Sequence, residues 1–334
     1  MNLVTGATGL VGTHVLLTLL QQGKSVIAMK RNSSDVMEVE RVFSYYNPDY
    51  KELYKKIVWR EADLSDALGF DELLKNVTVV YHCAALVSLN DKDREKLLKA
   101  NVEGTANLVN ACLGAKIEGF CFVSSIATLQ NKDITSDIDE TVFWKTSPNQ
   151  SVYSLSKYLA EQEVWRGIEE GLNAVIVNPG VIIGPGNWGR GTGQLVPLSN
   201  KGIRFYTEGV TGFVGARDVA GIMVALMSKK FFGERFILIE NNYSFKNILE
   251  KIHAELGKPF PKVKAGAVLL TLGKLVSFLM PVGKKMSSST ISALVSKTTY
   301  SGQKLSLFLD YKYSSIDECI KFTSKCYLLE SRSV

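Results

Sequence analysis

The octapeptide "TGATGLVG" at 5–12 follows the short strand-like run "NLVT" and opens a stretch with Leu10, Val11, Val15, Leu16, Leu19 and Leu20 on one helical face. Gly23 ends that stretch, so the order reads strand, tight turn, helix, C-cap. Gly6, Gly9 and Gly12 let the backbone turn sharply and let an anion approach closely. The helix N-terminus then presents free N–H groups and the positive end of its dipole. A glycine triplet alone is a weak signal. Its place between the first strand and the first helix gives it weight, with Thr8, Leu10 and Val11 beside the expected phosphate.

The same rhythm continues. Apolar runs "SVIAM" at 25–29, "KIVW" near 56, "TVVYHCAA" from 78, "GFCFVSS" from 119 and "NAVIVNPG" from 173 read as strands. Helical patterns at 66–75, 91–114 and 153–171 separate most of them. Strands alternating with helices predict an α/β chain with a doubly wound parallel sheet, covered on both faces. Past about 181 the rhythm changes, beginning at "GPGNWGRGTG". The expected division is 1–180 plus about 214–242 for the nucleotide-binding domain. Residues 181–213 plus 243–334 form a smaller, substrate-binding lobe at the C-terminal edge of the sheet.

Composition narrows the partners. The 334 residues are 46% hydrophobic and 22% charged, ample for a core. The formal charge of +6 comes without a dense Lys/Arg block, so no nucleic-acid partner is signalled. Five cysteines form no C-x-x-C pair, which predicts reduced thiols and a cytoplasmic chain. No basic segment followed by a removable apolar run precedes the glycine turn. His14, His82 and His253 are scattered, so no metal site is expected. The most apolar stretch, 265–282, is broken by Lys274, two glycines and Pro281; it predicts a core helix, with a helix that contacts substrate or a membrane surface as the alternative, and no stable membrane span.

The end of the second strand discriminates between dinucleotides. A site for NAD places an acidic side chain there for the ribose hydroxyls. This chain has Lys30 and Arg31, which suit a 2′-phosphate, so NADP(H) is preferred and NAD(H) remains a possibility. Asp63 and Leu64, after the third strand, are expected at the adenine edge. Cys83, Ala84 and Ala85, after the fourth, offer small residues where a ribose passes close to the backbone.

These motifs, with "NVEGT" at 101–105, "VSS" at 123–125, "YSLSK" at 153–157 and "NPGVIIGPG" at 178–186, resemble the extended short-chain dehydrogenase/reductase family. They keep that family's order and spacing over about the first 190 residues, and the C-terminal third matches loosely. Within the family the chain is most similar to the branch of dihydroflavonol reductases and hydroxysteroid dehydrogenases. The resemblance implies a Rossmann sheet and an oxidoreductase that interconverts a small carbonyl and its alcohol. It implies that Tyr153 is the general acid–base and Ser125 holds the substrate oxygen. It also implies that Lys157 lowers the tyrosine pKa and fixes the nicotinamide ribose, and that Asn101 supports a water chain to Lys157. Pro179, Gly180 and Val181 join the implied cofactor contacts. A tyrosine ionises near pH 10 without help, and Tyr153 and Lys157 are one helical turn apart, so the ammonium can supply that help. Ser124 is the alternative hydroxyl. Family alignment favours Ser125, and strand alternation sends the two to opposite sides.

Three functions remain open: a carbonyl reductase or alcohol dehydrogenase, a nucleotide-sugar epimerase or dehydratase, and a non-catalytic NADP sensor. Ile126-Ala127 stand where the sugar dehydratases carry an Asp-Glu pair. Asn178 and Val181 stand where many nucleotide-sugar enzymes have an Arg and an Asn. An apolar residue cannot replace that hydrogen bond, which argues for a less polar substrate. The sensor reading has no use for Ser125, Tyr153 and Lys157 together. Trp188, Phe205, Tyr206 and Phe213 line a pocket or fill the lobe core, and Asp218 is expected as a helix cap. A homodimer through the helices at 91–114 and 153–171 is a family expectation.

Overall fold

The computed structural model describes residues 1–66, 69–88, 90–129, 136–146, 150–266 and 288–331. The apolar stretch 265–282 lies, from 267 onward, outside the described residues.

Twelve strands are described. They are β1 (Asn2–Thr5), β2 (Val26–Lys30), β3 (Ile57–Glu61), β4 (Val79–His82), β5 (Gly119–Val123), β6 (Ala174–Pro179), β7 (Val181–Ile183), β8 (Phe205–Tyr206), β9 (Val210–Gly215), β10 (Glu234–Leu238), β11 (Asn241–Ser244) and β12 (Val263–Lys264). Seven build one sheet in the order β10-β6-β5-β4-β1-β2-β3, every pairing parallel. The strand order reverses between β1 and β4, which is where sheets of this kind open a crevice for ligands.

Strand alternation divides the core in two. Val4, Ala28, Cys121, Val123, Val175 and Val177 pack on one face with Val15, Leu16 and Val219. Leu3, Ile27, Phe120, Phe122, Ala174 and Ile176 pack on the other with Leu108, Val109, Ala160 and Val164. Both faces of each strand are therefore buried, and the strands read as apolar runs for that reason.

Helix ends follow local chemistry. The Leu10–Gln21 helix stops in a Schellman arrangement: Gly23 N–H donates to Leu20 O and Lys24 N–H to Leu19 O, both at 3.0 Å. Gly23 has φ +71°, a conformation that glycine adopts without a side-chain clash. The helical pattern at 91–114 is less regular than expected. It runs as a 3₁₀ turn Asp91–Asp93, a helix Arg94–Leu97, a π-helical segment Leu98–Glu103 and a helix Gly104–Gly114. The wide segment carries Asn101, whose side chain reaches away to neighbouring backbone. The pattern at 66–75 contracts to a helix over Phe70–Leu73 among the described residues.

A second sheet, β11-β9-β7, packs with the helices Phe245–Glu255 and Ile316–Ser331 around Phe213 and Ile316. The helix Gln303–Phe308 falls in the range assigned to the smaller lobe from sequence, yet its Leu305 packs in the main core. Asp218 is not the cap of its own helix. Its carboxylate accepts from Tyr311 Oη, Ser314 Oγ and Ser314 N at 3.0–3.2 Å and pins that segment to the Ala216–Ser228 helix. Among the described residues, no helix is long and apolar enough to cross a membrane.

Candidate functional site

The glycine turn lies at the C-terminal end of β1, beside the point where strand order reverses. Gly6 has φ +60°, and a Cβ there would stand 2.6 Å from Ala84 Cα and N. A Cβ on Gly12 would stand 2.2 Å from Gly6 O. These two glycines close the turn on itself and against the Cys83–Ala85 segment. Gly9 differs: it is exposed, and its Cβ would meet only Gly6 O, at 3.2 Å. Gly9 is also the N-cap of the helix, with no side-chain cap and no acidic residue in the first turn. Thr13 N–H makes a helical bond to Gly9 O at 2.9 Å. The N–H groups of Leu10, Val11 and Gly12 come before it and have no carbonyl one turn back. An uncapped, exposed helix N-terminus with space over its glycine fits a diphosphate. The cleft beside it is lined by Thr8, Gly9, Leu10, Glu38, Gly186 and Asn187.

Lys30, Arg31 and Asp63 stand at or just past the ends of the paired strands β2 and β3. Lys30 Nζ is 3.8 Å from Glu61, a partly exposed pair. Arg31 is exposed, its N–H donating to Ser34 Oγ at 3.0 Å. Asp63 Oδ1 accepts from Ser65 N and Ser65 Oγ, and these bonds hold its carboxyl below the usual range. Leu64 is buried in the sheet's second core cluster, so its place is set by packing.

A buried chain of hydrogen bonds braces the middle of the site. Thr105 Oγ1 donates to Asn101 O at 2.6 Å, so it accepts from His82 Nε2, 3.0 Å away. His82 Nδ1 then accepts from Thr5 Oγ1 at 2.7 Å, and Thr5 Oγ1 accepts from Ala84 N at 3.3 Å. Every proton has one consistent place, and the imidazole is neutral. Burial first, then the nearby Lys157 charge, pushes its pKa down to about 3. The chain ties the end of β1 to Ala84, the residue against which Gly6 closes.

The serine, tyrosine and lysine meet at the end of β5. Ser125 Oγ accepts from Ala127 N at 3.1 Å and lies beside the Tyr153 phenol. Burial raises the Tyr153 pKa, and the neighbouring Ser125 hydroxyl opposes that. Ser151 caps the Val152–Glu169 helix, its Oγ accepting from Ser154 N, and so starts the helix one residue before Tyr153. Lys157, one turn on, is buried and donates to Val123 O at 2.7 Å. Burial pushes its pKa down to about 7, while the charge of Glu161 opposes the shift. Ser124 turns the other way and donates to Glu161 Oε2 at 2.5 Å. The two adjacent hydroxyls thus serve different neighbours.

Asn101 is buried near this group, but its side chain is engaged elsewhere. Oδ1 accepts from Leu86 N at 2.7 Å, and Nδ2 donates to Leu86 O and Ser156 Oγ, each at 3.0 Å. Pro179 is buried in β6 opposite Leu238. A Cβ on Gly180 would stand 2.4 Å from Gly212 O, so that glycine serves the close approach of two backbones. Val181 pairs with Phe213 in the second sheet. Of the lobe aromatics, Phe213 is core, Trp188 Nε1 donates to Glu330 at 2.5 Å, and Tyr206 packs on Phe260.

Three residues of this region carry a place in the site that the sequence reading does not assign them. Glu161 is a buried hub for Ser124, Thr128, Asn178 and Arg235. Asn178 Nδ2 also lies 3.2 Å from Ser125 O. The legible signal was spacing: Glu161 follows Lys157 by the same four residues that separate Lys157 from Tyr153. His82 stands in "HCAA" at 82–85, where spacing along the chain shows only an isolated histidine. Among the described residues, no three His, Cys, Asp or Glu side chains group as metal ligands.

Comparison with known proteins shows the family and the fold. Residues 2–236 match the family described as NAD dependent epimerase/dehydratase. Sterol demethylase protein B of Methylococcus capsulatus is 29% identical over 78% of this chain and 76% of its own length. A Synechocystis sp. protein with the provisional name dihydroflavonol 4-reductase is 32% identical over 78% of this chain and 73% of its own. The crystal structure of gox2253 superposes with a TM-score of 0.82 at 28% identity, covering 99% of both chains.

Proposed function

The chain belongs to the NAD dependent epimerase/dehydratase family, and on that premise we propose that it is an NADP-dependent reductase of a small ketone or aldehyde. One observation carries the reading: Ser125, Tyr153 and the Lys157 ammonium seated on Val123 O gather at the end of β5, in the same parallel sheet whose β1 ends in the uncapped glycine turn.

The N–H groups of Leu10, Val11 and Gly12 would hold the diphosphate, and the small residues Cys83, Ala84 and Ala85 would let a ribose pass. Exposed Arg31, beside Ser34, would pair with a 2′-phosphate. Lys30 contributes less, because Glu61 neutralises part of its charge. When bound, the nicotinamide supplies the hydride.

The protein's own part is orientation and the proton. Ser125 Oγ and Tyr153 Oη together bind the substrate oxygen. Burial keeps the phenol protonated at neutral pH, which is the state a proton donor needs. As the substrate oxygen gains charge, Tyr153 Oη delivers its proton, and the ammonium of Lys157 offsets the phenolate left behind. The same groups run the alcohol oxidation in reverse. Residues 1–180 with 214–242 would hold the dinucleotide. Residues 181–213 with 243–334 would select the substrate, apart from Gln303–Phe308, which packs on the main sheet.

Sugar dehydration is less well supported, since Ile126 and Ala127 follow Ser125 and offer no acid. A nucleotide-sugar epimerase is also less well supported, since the Asn178 amide is spent inside the core and Val181 is apolar. The test is NADPH consumption, followed by absorbance, across aldehydes, ketones and nucleotide sugars. Turnover of carbonyls supports the reading; epimerisation of a nucleotide sugar with no carbonyl reduced replaces it.

A further inference from the structure

We propose that Glu161 is a positioning residue that sets both the direction of Ser125 and the charge state of Lys157; this rests on the reading of Tyr153 and Lys157 as the proton-handling pair.

Glu161 is 1% exposed. A carboxylate is costly to bury unless its lone pairs are met by donors. Here Oε2 receives Ser124 Oγ at 2.5 Å, Asn178 Nδ2 at 2.9 Å and Thr128 Oγ1 at 3.0 Å. Oε1 receives Arg235 Nη1 at 3.2 Å and Trp165 Nε1 at 3.4 Å. Ser124 and Thr128 flank Ser125 and its 3₁₀ turn Ile126–Thr128. Asn178 Nδ2 completes the clamp on Ser125 O at 3.2 Å. One carboxylate therefore grips the turn on both sides of Ser125 and holds that serine beside Tyr153.

The second effect is electrostatic. Lys157 is enclosed by groups from several elements. Tyr153 and Glu161 lie on its own helix, His82 and Cys83 at the end of β4, and Phe122 and Val123 O on β5. Arg235, on β10, reaches in through Glu161. Tyr153 is a neutral phenol, His82 is neutral, and burial pushes the Cys83 thiol up to about 12. That leaves Glu161 as the anion facing the ammonium at neutral pH, with the Arg235 cation behind it.

Two substitutions separate charge from packing. Glu161→Gln removes the negative charge; Arg235→Met removes the positive one behind it. Both break the same buried ion pair, so a purely structural role moves both the same way. The electrostatic role moves them oppositely. The readout is the pKa of Lys157 from NMR titration of protein with ¹³Cε-labelled lysine, the signal assigned by its loss in Lys157→Met. It needs no turnover, so it stands even if no carbonyl is reduced and the reductase reading fails. Expected are a fall of about one unit or more for Glu161→Gln and a rise for Arg235→Met. The pH–rate profile of the active enzyme should shift with them. Equal shifts in one direction, or none, overturn the proposal. If Glu161→Gln does not fold, Arg235→Met decides alone: a rise supports the proposal, and no rise overturns it.

Discussion

The ammonium of Lys157 donates to the carbonyl oxygen of Val123 at 2.7 Å and stands 4.2 Å from the centroid of the Phe122 ring. The amine is thus seated on the last residues of β5, two positions before Ser125. One strand end locates both the hydroxyl and the ammonium that the proposed mechanism assigns to Tyr153.

This seat predicts a pH signature. The Lys157 pKa falls from 10.5 to about 7 on folding, because burial disfavours the charged form. Between those values the unfolded chain binds more protons than the folded one, so the lysine's contribution to stability rises with pH across that window. Thermal unfolding of the parent and of Lys157→Met from pH 6 to 10 should show the parent gaining on the variant as pH rises above about 7. A constant difference at every pH would mean that the amine is not shifted by burial. The variant should also bind NADPH more weakly, because the ribose loses its partner.

Tyr153 lies beside Ser125 at the end of β5, away from the glycine turn at the end of β1. Tyr153→Phe is therefore expected to keep NADPH affinity nearly unchanged while turnover falls by about 10²–10⁴-fold. Ser125→Ala should be milder, since a water can replace its hydroxyl. Calorimetric titration beside steady-state kinetics checks both. Full activity in Tyr153→Phe would make the pair structural.

The glycines of the turn should separate into two classes. Gly6→Ala places a methyl 2.6 Å from Ala84 backbone at φ +60°, so it should lower the melting temperature of the protein alone. Gly9→Val meets only Gly6 O at 3.2 Å, so the fold should survive. The branched side chain would occupy the diphosphate path, and NADPH should no longer raise the melting temperature. Undiminished protection by NADPH would show that the turn is not the site.

On the proposed reading, Arg31 selects the dinucleotide. Arg31→Asp should weaken NADPH by about 10–100-fold, the scale of one charge-assisted hydrogen bond, and leave NADH unharmed. Calorimetry on the parent comes first, since equal or better NADH affinity there would sink the preference. Lys30→Ala should cost less, because Glu61 already engages that ammonium.

By itself, the sequence determined the layered sheet and the glycine turn. These depend on local rules: an apolar run is a doubly covered strand, a 3.6-residue period is a helix, and a glycine at a strand end is a turn. The spacing of Tyr153 and Lys157 was legible for the same reason, being one turn of one helix. Only the tertiary structure decided what surrounds them. Leu64 went into the core while its neighbour Asp63 stayed exposed, because the helix at Gly104 packs on the leucine. Asp218 became a tie to Tyr311 and Ser314, residues more than ninety positions away. Glu161 is the clearest case. Along the chain it is one charge among several on a helix. Folding brings Ser124, Thr128, Asn178 and Arg235 to it from three separate segments, and in the buried interior those long-range donors define what its carboxylate does.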